Sequence, residues 1–297
     1  NQHCSDRLPT RDYPIQFQVK QIAASLEANI QRFHNTLHEL KRLSLVLFQE
    51  TRAQRADIDS WFRDDGFGTN EDGFWLSIPR LNAFRENPAS GPMISCSWHP
   101  DLVQNEEACF RMYALRNLGP VLEEIREQLP NAAWIYYQDV TNTSTQFPYI
   151  DQITAITPDF DWSTYHTYRS VCPENNPQGH IQWTRPSIDY AGEGLIISVS
   201  IPVFLETRFI GLWSIDLPMQ SLYPDFVFDT LLKGQVNFII DRNGHLVAHP
   251  SIETRIDREK GSIYQLHLHE LDTKFKALDP STLLEQKSGQ VFLSPDS

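Results

Sequence analysis

The sequence predicts an α+β fold: two mixed units, each with an antiparallel sheet, arranged along one long N-terminal helix. Three observations carry that expectation. An apolar stripe runs without Gly or Pro from Val19 to Leu47. Residues 181–217 read as three successive strands separated by short turns. A second strand-turn-strand pattern follows at 236–249, after a helical connector. The expected units are an N-terminal segment and helix at 1–55, a first unit at 56–217, a linking helix at 218–234 and a second unit at 235–297.

The helix is the simplest element to justify. Val19, Ile22, Leu26, Ile30, Phe33, Leu37 and Leu40 recur at spacings of three and four, and Leu43 and Leu47 continue the stripe to about Arg55. That spacing places them on one face. About 40 residues at 1.5 Å each make a rod of roughly 60 Å, longer than one small domain. Such a helix covers a sheet along two units. The spacing is also close to a heptad, which predicts a parallel homodimer seam on the same stripe.

Residues 56–104 show no periodicity and read as an irregular, aromatic stretch. The run DDGFGTNEDG lacks the acidic spacing and terminal Glu of a calcium loop and reads as a polar turn. A helix is expected over 105–128, kinked at Gly119-Pro120. Ala132 to Asp139 is a strand, Asn142 marks a turn, and Phe147 to Ile150 is a short return strand. Residues 162–171 are a short helix or turn.

The three-strand meander comes next: Ile181 to Tyr190, Leu195 to Val203, and Arg208 to Leu217. Ala191-Gly192-Glu193-Gly194 and Glu206-Thr207 supply its turns. A period of two puts Ile197, Val199 and Ile201 on one face, as it does Phe209, Trp213 and Ile215 in the next strand. The opposite parity carries Ser198, Ser200, Ser214 and Asp216. Trp183, Arg185, Ser187 and Asp189 share a face in the first strand. Such a sheet is either half solvated or lines a small-molecule pocket. Pro218 opens the linking helix. In the second unit, Arg242-Asn243-Gly244 joins two apolar strands as a hairpin, and Gln290 to Leu293 is a late strand.

Composition narrows the function. The chain has 297 residues, 40% of them apolar, and a formal net charge of −13. That is enough apolar sequence for real cores. The acidic balance repels phosphate backbones and argues against nucleic-acid or anionic-lipid binding. No apolar run approaches the roughly 18 residues of a membrane helix. The polar ends suggest a soluble piece of a longer protein. Cys96 and Cys109 bracket a short loop, which suits either a local disulfide or two buried thiols. The remaining cysteines, Cys4 and Cys172, form no metal-binding spacing. Asn142-Thr143-Ser144 is a sequon that also serves as an ordinary turn.

Little catalytic chemistry is legible. Neither a Gly-x-Ser-x-Gly elbow nor a phosphate-cradling Gly-rich loop occurs. His267, His269, His245 and His249 are better read as exposed histidines than as metal ligands. No metal or cofactor is expected. Asp189 and Asp216 are the most enzyme-like pair, because two acids in one cleft suit general acid–base work. The same pair under aromatic rings suits an ammonium group, held by charge-assisted hydrogen bonds and cation–π contact. Asp216 also has a plainer reading, as an acid capping the helix after Pro218.

The stretch GHIQWTRPSIDYAGEGLIISVSIPVFLETRFIGLWSIDL resembles the signature end of a double Cache domain, the PAS-like extracytoplasmic sensor module of bacterial receptors. Trp183, Gly192, Gly194, Pro202, Val203, Gly211 and Asp216 match it. VNFIIDRNGHLVAHP at 236–250 resembles the opening hairpin of the membrane-proximal Cache unit. The resemblance implies two PAS-like units and a small-molecule ligand in the membrane-distal one, with no catalysis in this segment. In amino-acid-binding members, an Arg and a Trp just upstream hold the ligand carboxylate, and acids on the meander hold the amine. Here Asp189 and Asp216 match the acids and Tyr168 is retained. Tyr165 stands at the Arg position and Thr167 at the Trp position, so the carboxylate clamp is missing unless Arg169 or Arg185 replaces it. The implied ligand-binding set is Tyr137, Tyr165, Tyr168, Trp183, Arg185, Asp189 and Asp216. The implied protein is a periplasmic sensor of an inner-membrane receptor, a homodimer tethered by flanking helices. A sensor histidine kinase is the expected output, with a chemoreceptor or cyclase as alternatives. A periplasmic hydrolase using Asp189 and Asp216 is the reading from a different class.

Overall fold

The computed structural model describes residues 12–53, 57–88, 91, 93–99, 101, 105–151, 156–189, 191–219, 236–241, 243–249 and 267–271. It is α+β, with a long N-terminal helix and antiparallel sheets. Helix α1 (Asp12–Ala53) is 42 residues long. Its apolar stripe faces the chain's own sheet: Phe33 is 3% exposed and Leu37 not at all, with Leu40 and Phe48 in the same core. From Phe33 onward the stripe expected to form a dimer seam is thus covered by the sheet, whereas its members Val19 and Ile30 are 47% and 42% exposed. Phe17 and Val46, which are not members of that stripe, are exposed as well.

The stretch expected to be irregular is structured. It contains α2 (Ile58–Asp64), β1 (Phe67–Thr69), β2 (Trp75–Ser77), α3 (Ile78–Glu86) and β3 (Ser95–Trp98). These strands are too short to show a period. What holds them is aromatic packing, with Trp61, Phe62, Phe67 and Trp75 at ring separations of 4.6–5.1 Å. The run likened to a calcium loop is the β1–β2 hairpin, where Asn70 accepts from the amides of Asp72 and Phe74 at 3.1 and 2.9 Å.

The expected kinked helix is two helices, α4 (Glu106–Leu115) and α5 (Gly119–Gln128), broken ahead of Pro120. Pro sits in the first turn of α5, where its missing N–H costs nothing. Strand β4 (Trp134–Asp139) falls as expected, while its return partner β5 is Ser144–Phe147, closer to the turn at Asn142. A single 3-10 turn (Trp162–Thr164) and α6 (His166–Val171) follow. Strands β6 (Gln182–Trp183), β7 (Ser187–Ile188), β8 (Leu195–Leu205) and β9 (Arg208–Pro218) complete the sheet. Its order is β1-β2-β3-β5-β4-β9-β8-β6, with β7 also on β8, and every pairing is antiparallel.

The expected ten-residue strand at 181–190 is interrupted at Pro186. Thr184 bridges the gap: its amide donates to Ser198 O at 2.8 Å, and its hydroxyl accepts from Ser198 N at 2.9 Å. Proline has no amide for the ladder, so β6 and β7 are separate and their faces are no longer in phase. Pro218 ends β9, opposite Ile196, and Met219 directly after it is helical. The connector at 220–235 and the late strand at 290–293 lie outside the described residues.

Two long strands, β8 and β9, set the layers. Ile197, Val199, Ile201, Trp213, Ile215 and Leu217 face α1, α4 and α5. Leu212 and the neighbouring serines face α6. Phe209 does not share Trp213's face. A bulge between Val203 and Phe204 leaves Ile210 as an extra residue, so Ile210 joins the core and Phe209 packs on Tyr168. Gly211 forms the bulge with φ +154°, and a Cβ there would collide with the carbonyl oxygen of Gln138.

A buried ion cluster ties α4 to β4. Arg111 donates to both oxygens of Asp139, at 2.5 and 2.9 Å, and to Glu107 at 2.6 Å. Arg52 of α1 and Arg208 of β9 reach the same Glu107. Cys96 and Cys109 are free thiols, with Cys96 against Thr145 Oγ1 at 3.6 Å, so the local disulfide is not formed. The 236–249 hairpin is β10 (Ile239–Ile240) and β11 (Leu246–Ala248), a separate two-stranded sheet whose Leu246 reaches the main core.

Three stability predictions follow from this packing. Leu37→Ala will cost about 2–5 kcal/mol in denaturant unfolding, the range for truncating a fully buried leucine. Val46→Ser, at a position 48% exposed, will change stability by about 0.5 kcal/mol or less. Gly211→Ala will destabilise the chain through the collision at Gln138, read as a lower denaturation midpoint.

Candidate functional site

On the α6 side of the sheet, a small cavity of about 50 Å³ lies between β4, β5, β9 and the segment ending in α6. Trp134, Tyr136, Gln146, Trp162, Tyr165, Asp189 and Asp216 line it, with Ile150, Ile156 and Ala191. The strands explain why these side chains meet. Trp134 and Tyr136 alternate on one face of β4, and Asp216 pairs with Trp134 across the β4–β9 ladder. Trp162 and Tyr165 stand edge to face at 5.7 Å.

The two carboxylates are held differently. Asp189 is fixed by its own turn and by the wall. It accepts from Trp134 Nε1 at 3.1 Å, Ala191 N at 3.1 Å and Glu193 N at 3.0 Å. Asp216 is 4% exposed and accepts from Tyr136 OH at 3.2 Å. Burial pushes its carboxyl up to about 7, the charge of Asp189 adds to the rise, and nearby hydroxyls oppose it. Burial also holds the Tyr136 phenol well above its ordinary value, so Tyr136 remains a donor. Among the described residues lining the cavity there is no Arg or Lys. The site therefore offers one or two negative charges inside an aromatic wall and no cation of its own.

Asp216 lies within β9 and its side chain lines the cavity, while the helix it would cap lies, beyond Met219, outside the described residues. Of the seven residues implied by sequence, Tyr165, Asp189 and Asp216 come together here. Tyr168 is adjacent, in the small cluster that contains Tyr136, Val171 and Leu212. Tyr137 is not at the cavity. It faces α1, stacks near Trp213 at 5.5 Å, and donates to Asp139 and Ile210 O. Trp183 and Arg185 are also elsewhere. Trp183 donates to His34 Nε2 of α1 at 3.0 Å, and both residues line a different cavity.

Sequence reasoning missed Trp134, Tyr136, Gln146 and Trp162. Alternation in AAWIYYQD was legible, but the choice between Tyr136 and Tyr137 depends on which parity faces the helix. Trp162 was the accessible one, three residues before Tyr165. The histidines at the β10–β11 hairpin show limited clustering: His245 Nδ1 lies 3.1 Å from Asp241, and its ring is 4.4 Å from that of His267. Among the described residues no group of three His, Cys, Asp or Glu side chains is arranged to hold a metal.

No family model and no curated protein matches the sequence. Among solved structures, the chain is similar to the ligand-binding domain of the Pseudomonas fluorescens chemoreceptor CtaA in complex with L-serine. Identity is 20%, coverage is 57% of this chain and 62% of that one, and the TM-score is 0.37. The chain thus spans less than two thirds of that domain's length. It is also similar to the ligand-binding domain of the Pseudomonas aeruginosa PAO1 chemoreceptor PctC in complex with GABA, at 17% identity, 80% of each chain and TM-score 0.38. The Campylobacter jejuni chemoreceptor Tlp3 domain in complex with L-norvaline is a third, at 16% identity, 77% of this chain, 76% of that chain and TM-score 0.34.

A pH prediction follows from Asp216. Its carboxyl binds a proton more tightly folded, about 7, than at its ordinary 3.8. The stability it contributes is therefore fully present below pH 3.8 and is lost as pH rises toward 7. The slope is up to about 1.4 kcal/mol per pH unit in that window. Asp216→Asn should remove this component, read as a flatter stability curve between pH 4 and 7 in urea titrations.

Proposed function

We propose that this chain is the ligand-sensing ectodomain of a transmembrane receptor, and that it binds a small amine in the cavity between β4, β9 and α6. One observation supports this above all: two carboxylates, one of them buried, share an aromatic cavity lined, among the described residues, by no cation. A buried carboxylate is costly without a partner, and an ammonium group is the partner that fits. The indole and phenol rings add cation–π attraction. An amine without a carboxylate suits the site better than an α-amino acid, since Tyr165 stands where the sensor family's clamp has Arg. Arg185, the substitute considered from sequence, lies at another cavity. Asp189 has its oxygens held by an indole and two amides, which fixes a charge rather than shuttling a proton. That favours binding over the hydrolase reading.

The wider setting belongs to the same proposal. The described part of 56–217 would be the membrane-distal unit, and the β10–β11 hairpin would open the membrane-proximal one. No helix among the described residues is long and apolar enough to cross a membrane, so tethering would fall to flanking segments in an extracytoplasmic arrangement. A homodimer along α1 would use the exposed N-terminal part of the stripe, with Val19 and Ile30, rather than the part covered from Phe33 onward. Histidine kinase, chemoreceptor and cyclase outputs all accept this sensing step.

The test is a thermal-shift screen of primary amines, diamines and amino acids, followed by calorimetry on the hits. A true ligand should lose about thirtyfold or more in affinity in Asp216→Asn, the cost of leaving half of a desolvated charge pair unmatched. Unchanged affinity in that variant would place the ligand elsewhere. Since the amine competes with the proton on Asp216, affinity should fall as pH drops below about 7. Tyr136→Phe should weaken binding, and Tyr137→Phe should leave affinity as it is, because the two phenols lie on opposite faces of the sheet.

A further inference from the structure

A second cavity lies apart from the one beside Asp216. It measures about 550 Å³ and lies between α1, the β6–β7 segment and the β10–β11 hairpin. Its walls are chiefly apolar: Ile30 and Phe33 from α1, Trp183 and Ile197 from the sheet, and Ile239 and Leu246 from the hairpin. The volume falls in the range of cavities that enclose a small organic molecule. An apolar space of that size between three elements is costly to leave to water.

Its polar lining residues, Asn29, Thr184, Arg185, Asp241, Asn243 and His245, are unequal. Asp241 is occupied by its own turn, accepting from Asn243 N at 2.8 Å and His245 N at 2.9 Å and lying 3.1 Å from His245 Nδ1. These partners leave it little capacity for a ligand cation. Trp183 Nε1 is spent on His34. Arg185 is different: it lines the cavity, is exposed, and makes no ion pair among the described residues. A guanidinium at the mouth of an apolar chamber complements a molecule with an apolar body and one planar anionic end, which it can hold through two parallel hydrogen bonds.

We propose that this cavity is a second ligand site, for a small amphipathic carboxylate whose alkyl or aryl body lies between α1, the sheet and the hairpin and whose anionic end meets Arg185. Such a ligand touches both sheets and the helix at once, so it would stabilise the hairpin against the rest of the molecule. The site takes the opposite charge from the one beside Asp216, and the two share no lining residue.

Decanoate and 3-phenylpropanoate are suitable probes, with decanol and 3-phenylpropanol as uncharged controls, titrated into the 297-residue chain by calorimetry. The acids should bind more tightly than the alcohols. Arg185→Gln should weaken the acids about tenfold or more and leave the alcohols unchanged, the size expected for losing a charged hydrogen bond. Ile30→Trp, which fills the chamber from an exposed helix position, should abolish binding of both. The amine response assigned to Asp189 and Asp216 should persist in both variants, which separates failure of this site from failure of the first. Absence of acid binding, equal binding of acids and alcohols, or acid binding unaffected by both variants would overturn the proposal.

Discussion

Everything in this molecule depends on α1 covering one face of the central sheet. The helix buries Trp213, Ile215 and Leu217 on β9 together with the odd-numbered residues of β8. Strand periodicity then leaves no choice for the residues between them. Ser198, Ser200, Ser214 and Asp216 must point the other way, where α6 and the aromatic 3-10 turn cover them in turn. A carboxylate is thus buried as a geometric consequence of packing on the opposite face. Its raised proton affinity and its need for a cationic partner both descend from that arrangement.

The parts of the fold that were legible in sequence are those with enough residues to display a period. The α1 stripe, β8 and β9 all repeat for ten residues or more, and the structure places them close to where the pattern did. The Asn243-Gly244 hairpin was legible for a different reason, a turn that only a few residue pairs make. The strands at 67–69, 75–77 and 95–98 were invisible, because three or four residues carry no period and aromatic stacking holds them together. Phase was lost wherever the backbone departed from the ladder. Pro186 broke it between Trp183 and Asp189, and the extra residue at Ile210 separated Phe209 from Trp213. Those two irregularities account for the misassigned faces.

The site was legible in its charges and not in its walls. Asp189 and Asp216 could be paired from their strand positions, and Tyr165 from its upstream segment. Tyr136 and Tyr137 are adjacent and chemically identical, so only the packed helix decides which one meets Asp216. Trp183 and Arg185 were drawn into the same site by a shared parity that Pro186 does not preserve. Their actual position, against α1 and the hairpin, puts them at a second cavity on the opposite face of the sheet from Asp216.

The length of α1 gives the molecule leverage. At 1.5 Å per residue its 42 residues span about 63 Å, so a tilt of roughly two degrees about one end moves the other by about 2 Å. The rod is pinned near its C-terminal end, where Arg52 joins Arg111 and Arg208 on Glu107. Trp183 touches it through His34, some 18 positions before Arg52. A small tilt at Phe33 or Leu37 would therefore arrive at Asp12, the first described residue of the helix, as a shift comparable to an atomic diameter. Distance along a stiff element does here what would otherwise require a hinge.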